Sequence, residues 1–166
     1  MVISECTAAP QTDMDAYATK SEAYYQHARR DLYRFLRNGA PRDFHRVLNV
    51  GCGEGLDATV LRDMGVTYIA GVEPFGIAAE HARARYDEVI HARFEDWDTS
   101  SLQTFDLIVF ADVLEHMASP LEALQRARKL LDSGGIALIS VPNVRHISIL
   151  FQLAILGEWR YSTQGI

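Results

Sequence analysis

The stretch Val47-Leu48-Asn49-Val50-Gly51-Cys52-Gly53-Glu54-Gly55 decides the fold. A short apolar run breaks into three alternate glycines, the pattern of a buried strand feeding a tight, ligand-cradling turn. Glycine has no Cβ, so such a turn reaches positive φ and lets backbone N–H groups approach a ligand closely. Leu56 to Met64 follows as a predicted helix whose N-terminus faces that ligand.

Downstream, Val66 to Val72 is short and rich in β-branched residues, and it closes on Glu73-Pro74, an acid and a helix-starting proline. Gly76 to Tyr86 is Ala-rich and predicts a helix, with a third strand around Glu88 to Ala92. Phe105 to Phe110 is apolar on both faces, as a central parallel strand should be. Ser119-Pro120 offers an N-cap and an N1 proline for a helix with the stripe Leu121, Leu124, Ala127, Leu130, Leu131. Gly134-Gly135 ends it and delivers a fifth strand, Ile136 to Val141, closed by Pro142-Asn143. Strands alternating with helices of about ten residues call for an α/β fold on a parallel sheet with right-handed crossovers.

Upstream, Lys20 to Arg37 reads as a helix because Tyr25, Ala28, Leu32, Phe35 and Leu36 recur at helical spacing. Asn38-Gly39 supplies the stop, and Pro41 cannot continue it. Residues 1–19 show no sustained periodicity and are expected to be a mobile leader. Residues 20–166 form one domain, and the apolar stretch Ile147 to Leu156 predicts a last, buried helix.

Bulk properties narrow the function. The 166-residue chain is 48% hydrophobic and 23% charged, as in an ordinary soluble globular domain. Sixteen basic residues against 22 acidic, a net charge of −6, argue against nucleic acid as a partner. The N-terminus lacks a signal-peptide pattern, and the late apolar stretch is about half the ~20 residues that span a bilayer. Two cysteines, Cys6 and Cys52, make neither a disulfide framework nor a metal site, so a reducing, cytoplasmic setting is expected. His81, His91 and His146 share no ligand spacing, and no metal is assigned.

Spacing then separates the nucleotide-binding turns. The dinucleotide fingerprint is G-x-G-x-x-G, whereas here Leu56 falls where its last glycine would stand. No Gly-Lys-Ser or Gly-Lys-Thr follows, which disfavours a phosphate-loop NTPase. Glu73, at the end of the second strand, places two carboxylate oxygens where both hydroxyls of a ribose can donate.

Val47 to Gly55, Gly71-Val72-Glu73-Pro74, FDLIVFADVLEH from Phe105 to His116, and LLDSGGIALISVPN from Leu130 to Asn143 together resemble a class I S-adenosylmethionine-dependent methyltransferase. The resemblance implies a Rossmann-like three-layer α/β/α sandwich with a mostly parallel sheet. It also implies the cofactor S-adenosylmethionine and the product S-adenosylhomocysteine. Gly51, Cys52 and Gly53 would pass beneath the methionine part, with Glu73 on the ribose hydroxyls and Pro74-Phe75 beside the adenine. Arg93, Phe94 and Glu95 would border the adenine edge, and Ala111 and Asp112 would flank the methionine and sulfonium. Tyr24, Tyr25 and Arg29 would fold over the cofactor from the first helix, with Arg29 pairing the methionine carboxylate; simple packing is the other reading of the three.

Two positions depart from the family pattern. Relatives usually carry an acid where Asn49 stands, so a neutral amide near the cofactor's amino group predicts weaker binding that Asn49→Asp would strengthen. Arg93 replaces a frequent Asp, leaving adenine recognition to backbone groups of Phe94 or to Glu95. His116 is the candidate general base for a hydroxyl acceptor, with Glu115 beside it. The competing reading gives His116 only a capping or packing role.

Val141-Pro142-Asn143-Val144-Arg145-His146, an apolar helix and Gly157-x-Trp159-x-Tyr161 resemble the branch of methyltransferases associated with sugar and polysaccharide synthesis. A sugar hydroxyl, or another small-molecule or glycan acceptor, is the expectation. The family's C-terminal antiparallel hairpin has no counterpart, so the domain is expected to be C-terminally truncated or a reduced version. In a truncated domain, self-association through the fifth strand and the apolar helix would follow. The alternative class is a module that binds S-adenosylmethionine or S-adenosylhomocysteine without catalysis, and a nicotinamide dehydrogenase stands third.

Overall fold

A computed structural model describes residues 29–39, 43–99 and 103–143. The expected leader, Tyr24, Tyr25, the start of the first helix and the apolar stretch from Ile147 lie outside the described residues.

Helix α1 (Arg30–Gly39) carries Asp31 in its first turn and Arg37 in its last, complementing the helix dipole, and its last described residue is the glycine expected to end it. Its buried side is set by Tyr33 and Leu36, three residues apart. Phe35, expected on the apolar stripe, is instead 75% exposed, because the Tyr33–Leu36 side already faces the sheet. Then follow β1 (Arg46–Val50), α2 (Asp57–Asp63), β2 (Tyr68–Val72), α3 (Gly76–Ala82) and β3 (Glu88–Ile90). After these come β4 (Phe105–Ala111), one turn of 3-10 helix (Leu114–His116), α4 (Pro120–Leu130) and β5 (Leu131–Ser140).

The five strands form one sheet in the order β3-β2-β1-β4-β5, and every pairing is parallel. Buried side chains gather on both faces, as a parallel sheet requires. On one face Val47, Ile69, Leu107 and Val109 pack with Tyr33, Leu36, Ala58, Leu61 and Ala82 from α1, α2 and α3. On the other, Leu48, Val50, Ala70, Val72, Ile108 and Phe110 pack with Ala123, Ala127 and Leu130 of α4. This is the expected three-layer sandwich, and among the described residues no strand follows β5.

Local details differ from the sequence reading. Helix α4 buries Ala123 in place of Leu121, which is 67% exposed; the small alanines let the helix lie close to the sheet. Ser119 occupies the N-cap position without a side-chain capping bond. Helix α3 ends at Ala82 and β3 holds three residues. Strand β5 begins at Leu131, and Gly134-Gly135 lie inside a bulge where Leu131 pairs Phe105 but Ile136 pairs Leu107.

This topology fixes where a ligand belongs. The chain leaves β1 toward β2 and β3, then returns to β4 on the other side of β1. In open α/β sheets the crevice at such a reversal, beyond the carboxyl ends of the strands, is the binding position.

Candidate functional site

The glycine turn stands at that crevice. Gly51, Gly53 and Gly55 all adopt left-handed φ, at 69°, 52° and 78°, a region costly for residues with a Cβ. The turn is folded back on β2, where the Gly51 and Cys52 N–H groups both donate to the Val72 carbonyl, at 2.8 and 3.3 Å. A Cβ at Gly51 would also lie 2.6 Å from Val113 Cγ2 in the loop after β4. Gly51 therefore answers to two constraints, its φ and its neighbour.

Glu73 follows β2 directly and is only 4% exposed. Its Oε2 accepts the Gly53 N–H at 2.8 Å and its Oε1 accepts the Phe75 N–H at 3.0 Å. A carboxylate offers about four acceptor directions, so these two bonds aim the group as well as joining the glycine turn to the start of α3. Pro74 is exposed, and its carbonyl accepts from His91 Nε2 at 3.0 Å. His91 thus ties the loop after β2 to the end of β3. Cys52 is buried, and burial followed by the Glu73 charge pushes its thiol far above its ordinary range.

At the end of β4, Ala111 is half-buried and Asp112 is left-handed, with φ 55°, the one described non-glycine residue with positive φ. That conformation is held by bonds to β5: Asp112 N–H donates to the Ser140 carbonyl at 3.1 Å, and Ser140 Oγ donates to Asp112 Oδ1 at 2.8 Å. The other Asp112 oxygen pairs with the Arg29 guanidinium, which also contacts Asp31 at 3.3 Å. Arg29, expected over the cofactor, is therefore placed across the ends of β1 and β4. His116 and Glu115 are exposed on the 3-10 turn, which is anchored by buried Leu114.

Two expectations need adjustment. The Phe94 ring is buried and packs edge-on against Phe110 at 5.6 Å between centroids, so its side chain belongs to the core beneath α4. Only its backbone and the half-buried Glu95 remain to border a ligand. Asn49, 1% exposed, points into the protein: its Nδ2 donates to Tyr86 OH at 2.8 Å and to Asp57 Oδ2 at 3.2 Å. An Asp at 49 would set a second carboxylate against Asp57, a like-charge contact that opposes the gain in cofactor binding expected of Asn49→Asp.

The sequence reading missed Asp57, Tyr33 and Tyr86. Asp57 Oδ2 also accepts from Tyr33 OH at 2.9 Å, and Oδ1 accepts the Arg29 N–H at 3.0 Å. Burial, then the Asp57 charge, raises the Tyr33 hydroxyl well above 10, so it stays a donor. Burial likewise raises Tyr86. The available signal was an acid two residues past the last turn glycine, in the first turn of α2. Among the described residues no group of three or more His, Cys, Asp or Glu is arranged to hold a metal, and no helix is long and apolar enough to cross a membrane.

A family model described as a methyltransferase domain matches residues 21–164. The ubiquinone biosynthesis O-methyltransferase of Vibrio parahaemolyticus is 32% identical over 117 residues, 68% of this chain and 49% of that protein. The chain thus spans about half the length of the curated relatives it matches. Among solved structures, the sugar N-methyltransferase KedS8 from a Streptoalloteichus species superposes with a TM-score of 0.57 at 18% identity, covering 82% of this chain and 57% of that one. The N-methyltransferase NodS of Bradyrhizobium japonicum, bound to S-adenosylhomocysteine, superposes with a TM-score of 0.55 at 23% identity, covering 65% and 57%.

Proposed function

The chain belongs to the methyltransferase-domain family, and on that premise we propose that the protein is a class I S-adenosylmethionine-dependent methyltransferase acting on a hydroxyl of a small acceptor. The observation that carries this reading is Glu73, an aimed and buried carboxylate at the end of β2, strapped to the left-handed glycine turn. The donor set suits the cofactor. The Glu73 carboxylate keeps acceptor directions beyond its two backbone bonds, and S-adenosylmethionine presents two ribose hydroxyls as donors.

When bound, S-adenosylmethionine supplies a methyl group already activated on sulfur. The chain's share is alignment and exclusion of water. The Gly51 to Gly53 turn would lie beneath the methionine part, Glu73 would hold the ribose, and Pro74, the Phe94 backbone and Glu95 would flank the adenine. Ala111 and Asp112 would border the methionine and sulfonium, with Arg29, paired to Asp112, beside them. His116, exposed beyond β4, is assigned to accept the proton of the acceptor hydroxyl. The similarity to O-methyltransferases supports an oxygen acceptor. A sugar hydroxyl rests on the pattern Val141 to His146 and Gly157 to Tyr161, most of it beyond the described residues. A cytoplasmic setting rests on composition, and self-association on β5 lying at the sheet edge among the described residues.

Incubation with S-adenosylmethionine and a panel of phenols and sugars tests the proposal. A methylated acceptor, lost in His116→Ala with S-adenosylhomocysteine binding retained, is expected. Cofactor binding without turnover on any acceptor would support the non-catalytic module, and tighter binding of NAD than of S-adenosylhomocysteine would overturn the reading altogether.

A further inference from the structure

Asp57 stands apart from the residues that would serve methyl transfer, yet its carboxylate joins three segments of the chain. It accepts the Arg29 N–H just before α1 at 3.0 Å, Tyr33 OH one turn later at 2.9 Å, and Asn49 Nδ2 on β1 at 3.2 Å. The second Asn49 amide hydrogen is spent on Tyr86 OH at 2.8 Å. Asn49 Oδ1 is buried without a hydrogen-bond partner. The cluster therefore holds one strong acceptor facing three donors, with the Asn49 amide locked in a single orientation.

We propose that Asp57 is a positioning residue: by docking Arg29 and Tyr33 against the end of β1, it sets the Arg29 guanidinium across the crevice to meet Asp112 at the end of β4. The backbone bond at Arg29 fixes where that side chain starts, and the Tyr33 bond fixes the rotation of α1. Leu32, Val60 and Met64 pack against the same core cluster as Tyr33, and apolar contacts of that kind carry no directional preference. Bonds to a charged acceptor are directional.

The geometry also predicts that the acid can change places. In the double variant Asn49→Asp with Asp57→Asn, the amide oxygen introduced at position 57 still accepts the Arg29 N–H, and the amide nitrogen donates to the new carboxylate at position 49. Tyr86 OH then also meets an acceptor, and Tyr33 OH, a hydroxyl that accepts as well as donates, takes a hydrogen from the amide nitrogen at position 57. Asp57→Asn alone turns that amide nitrogen toward the Asn49 amide, opposing donor to donor.

Hydrogen exchange of the intact protein, read peptide by peptide, is the primary test, and its outcome is independent of any ligand. Asp57→Asn is expected to speed exchange across residues 30–37 by about tenfold, with residues 105–110 of β4 unchanged, and the double swap to recover most of that protection. Unchanged exchange in 30–37, an equal rise in β4, or no recovery in the swap would overturn the proposal. The second readout rests on the cofactor reading: in S-adenosylhomocysteine titrations Arg29→Ala weakens binding about tenfold in wild type but less than about twofold in Asp57→Asn. Additive losses would overturn positioning through Arg29. Wild type that fails to bind S-adenosylhomocysteine would sink the cofactor reading, while the exchange result would still decide the role of Asp57.

Discussion

Both ends of the sheet carry carboxylates that accept backbone N–H groups, yet the two ends differ in what surrounds those bonds. At the amino end, Asp106 accepts from His45 and Arg46 N–H at 2.8 and 3.1 Å, fixing the start of β1. Asp87 accepts from Ile69 N–H at 2.6 Å and pairs with Arg62 at 2.7 Å, fixing the start of β2. At the carboxyl end, Glu73 makes the same kind of bond, but to a turn of three left-handed glycines, opposite a left-handed Asp112. Positive φ at a non-glycine residue costs about 1–3 kcal/mol and persists where the surrounding structure enforces it. Acid-to-backbone bonding alone therefore does not mark a site; its coincidence with backbone strain at the topological reversal does.

The sharpest way to break this contrast is to remove one acid from each end. Glu73→Ala should weaken S-adenosylhomocysteine about 100-fold by calorimetry, since two hydrogen bonds to a charged acceptor contribute about 3 kcal/mol together. Asp106→Ala should leave affinity within about twofold but lower unfolding stability in urea by about 2 kcal/mol, because two N–H groups lose their acceptor. Equal effects on binding would erase the distinction between the ends.

A second contrast uses glycine. Gly51→Ala meets both φ 69° and Val113 at 2.6 Å, whereas Gly65, before β2 at the amino end, has φ 87° and nothing within 4 Å of where a Cβ would stand. Thermal melts should show Gly65→Ala costing about 1 kcal/mol and Gly51→Ala about 1–3 kcal/mol more. Cys52 offers a third: its raised thiol should resist alkylation in the native protein at pH 8 and react on unfolding, as followed by mass spectrometry of its peptide.

The smallest expected effect is acid sensitivity at the amino end. Burial raises the Asp87 carboxyl, but the Ile69 N–H and Arg62 outweigh it and hold the group below its usual 3.8. A carboxyl depressed on folding contributes stability above its unfolded pKa of about 3.9 and loses it as pH falls through the folded value. Asp87→Asn should therefore flatten the stability profile below pH 4, and an unchanged profile would show that Asp87 contributes nothing there.

Much of the fold was legible because its signals are local. Val47 to Val50, Ile69 to Val72 and Phe105 to Phe110 are apolar runs long enough only for buried strands, and Gly51 to Gly55 has one sensible conformation. The helices were less legible on their contact faces. Phe35 and Leu121 look like core by spacing, but Tyr33 and Ala123 take those places, since contact with the sheet depends on the depth available and not on hydrophobicity alone. Glu73 could be singled out from its position after a strand. The Asp57 cluster could not, because Tyr33, Asn49, Asp57 and Tyr86 come from separate segments and meet only when α1, β1, α2 and the turn after α3 have packed.

If the carboxyl end of the sheet holds an S-adenosyl ligand while the amino end serves the fold, a ligand should disturb one end alone. Amide chemical shifts during titration of the intact protein with S-adenosylhomocysteine test this most directly. Shifts are expected at Gly51 to Gly55, Glu73, Phe75, Ala111 and Asp112, with His45, Arg46, Ile69 and Asp87 unmoved. A saturable response centred on those amino-end amides, or none at either end, would contradict the division.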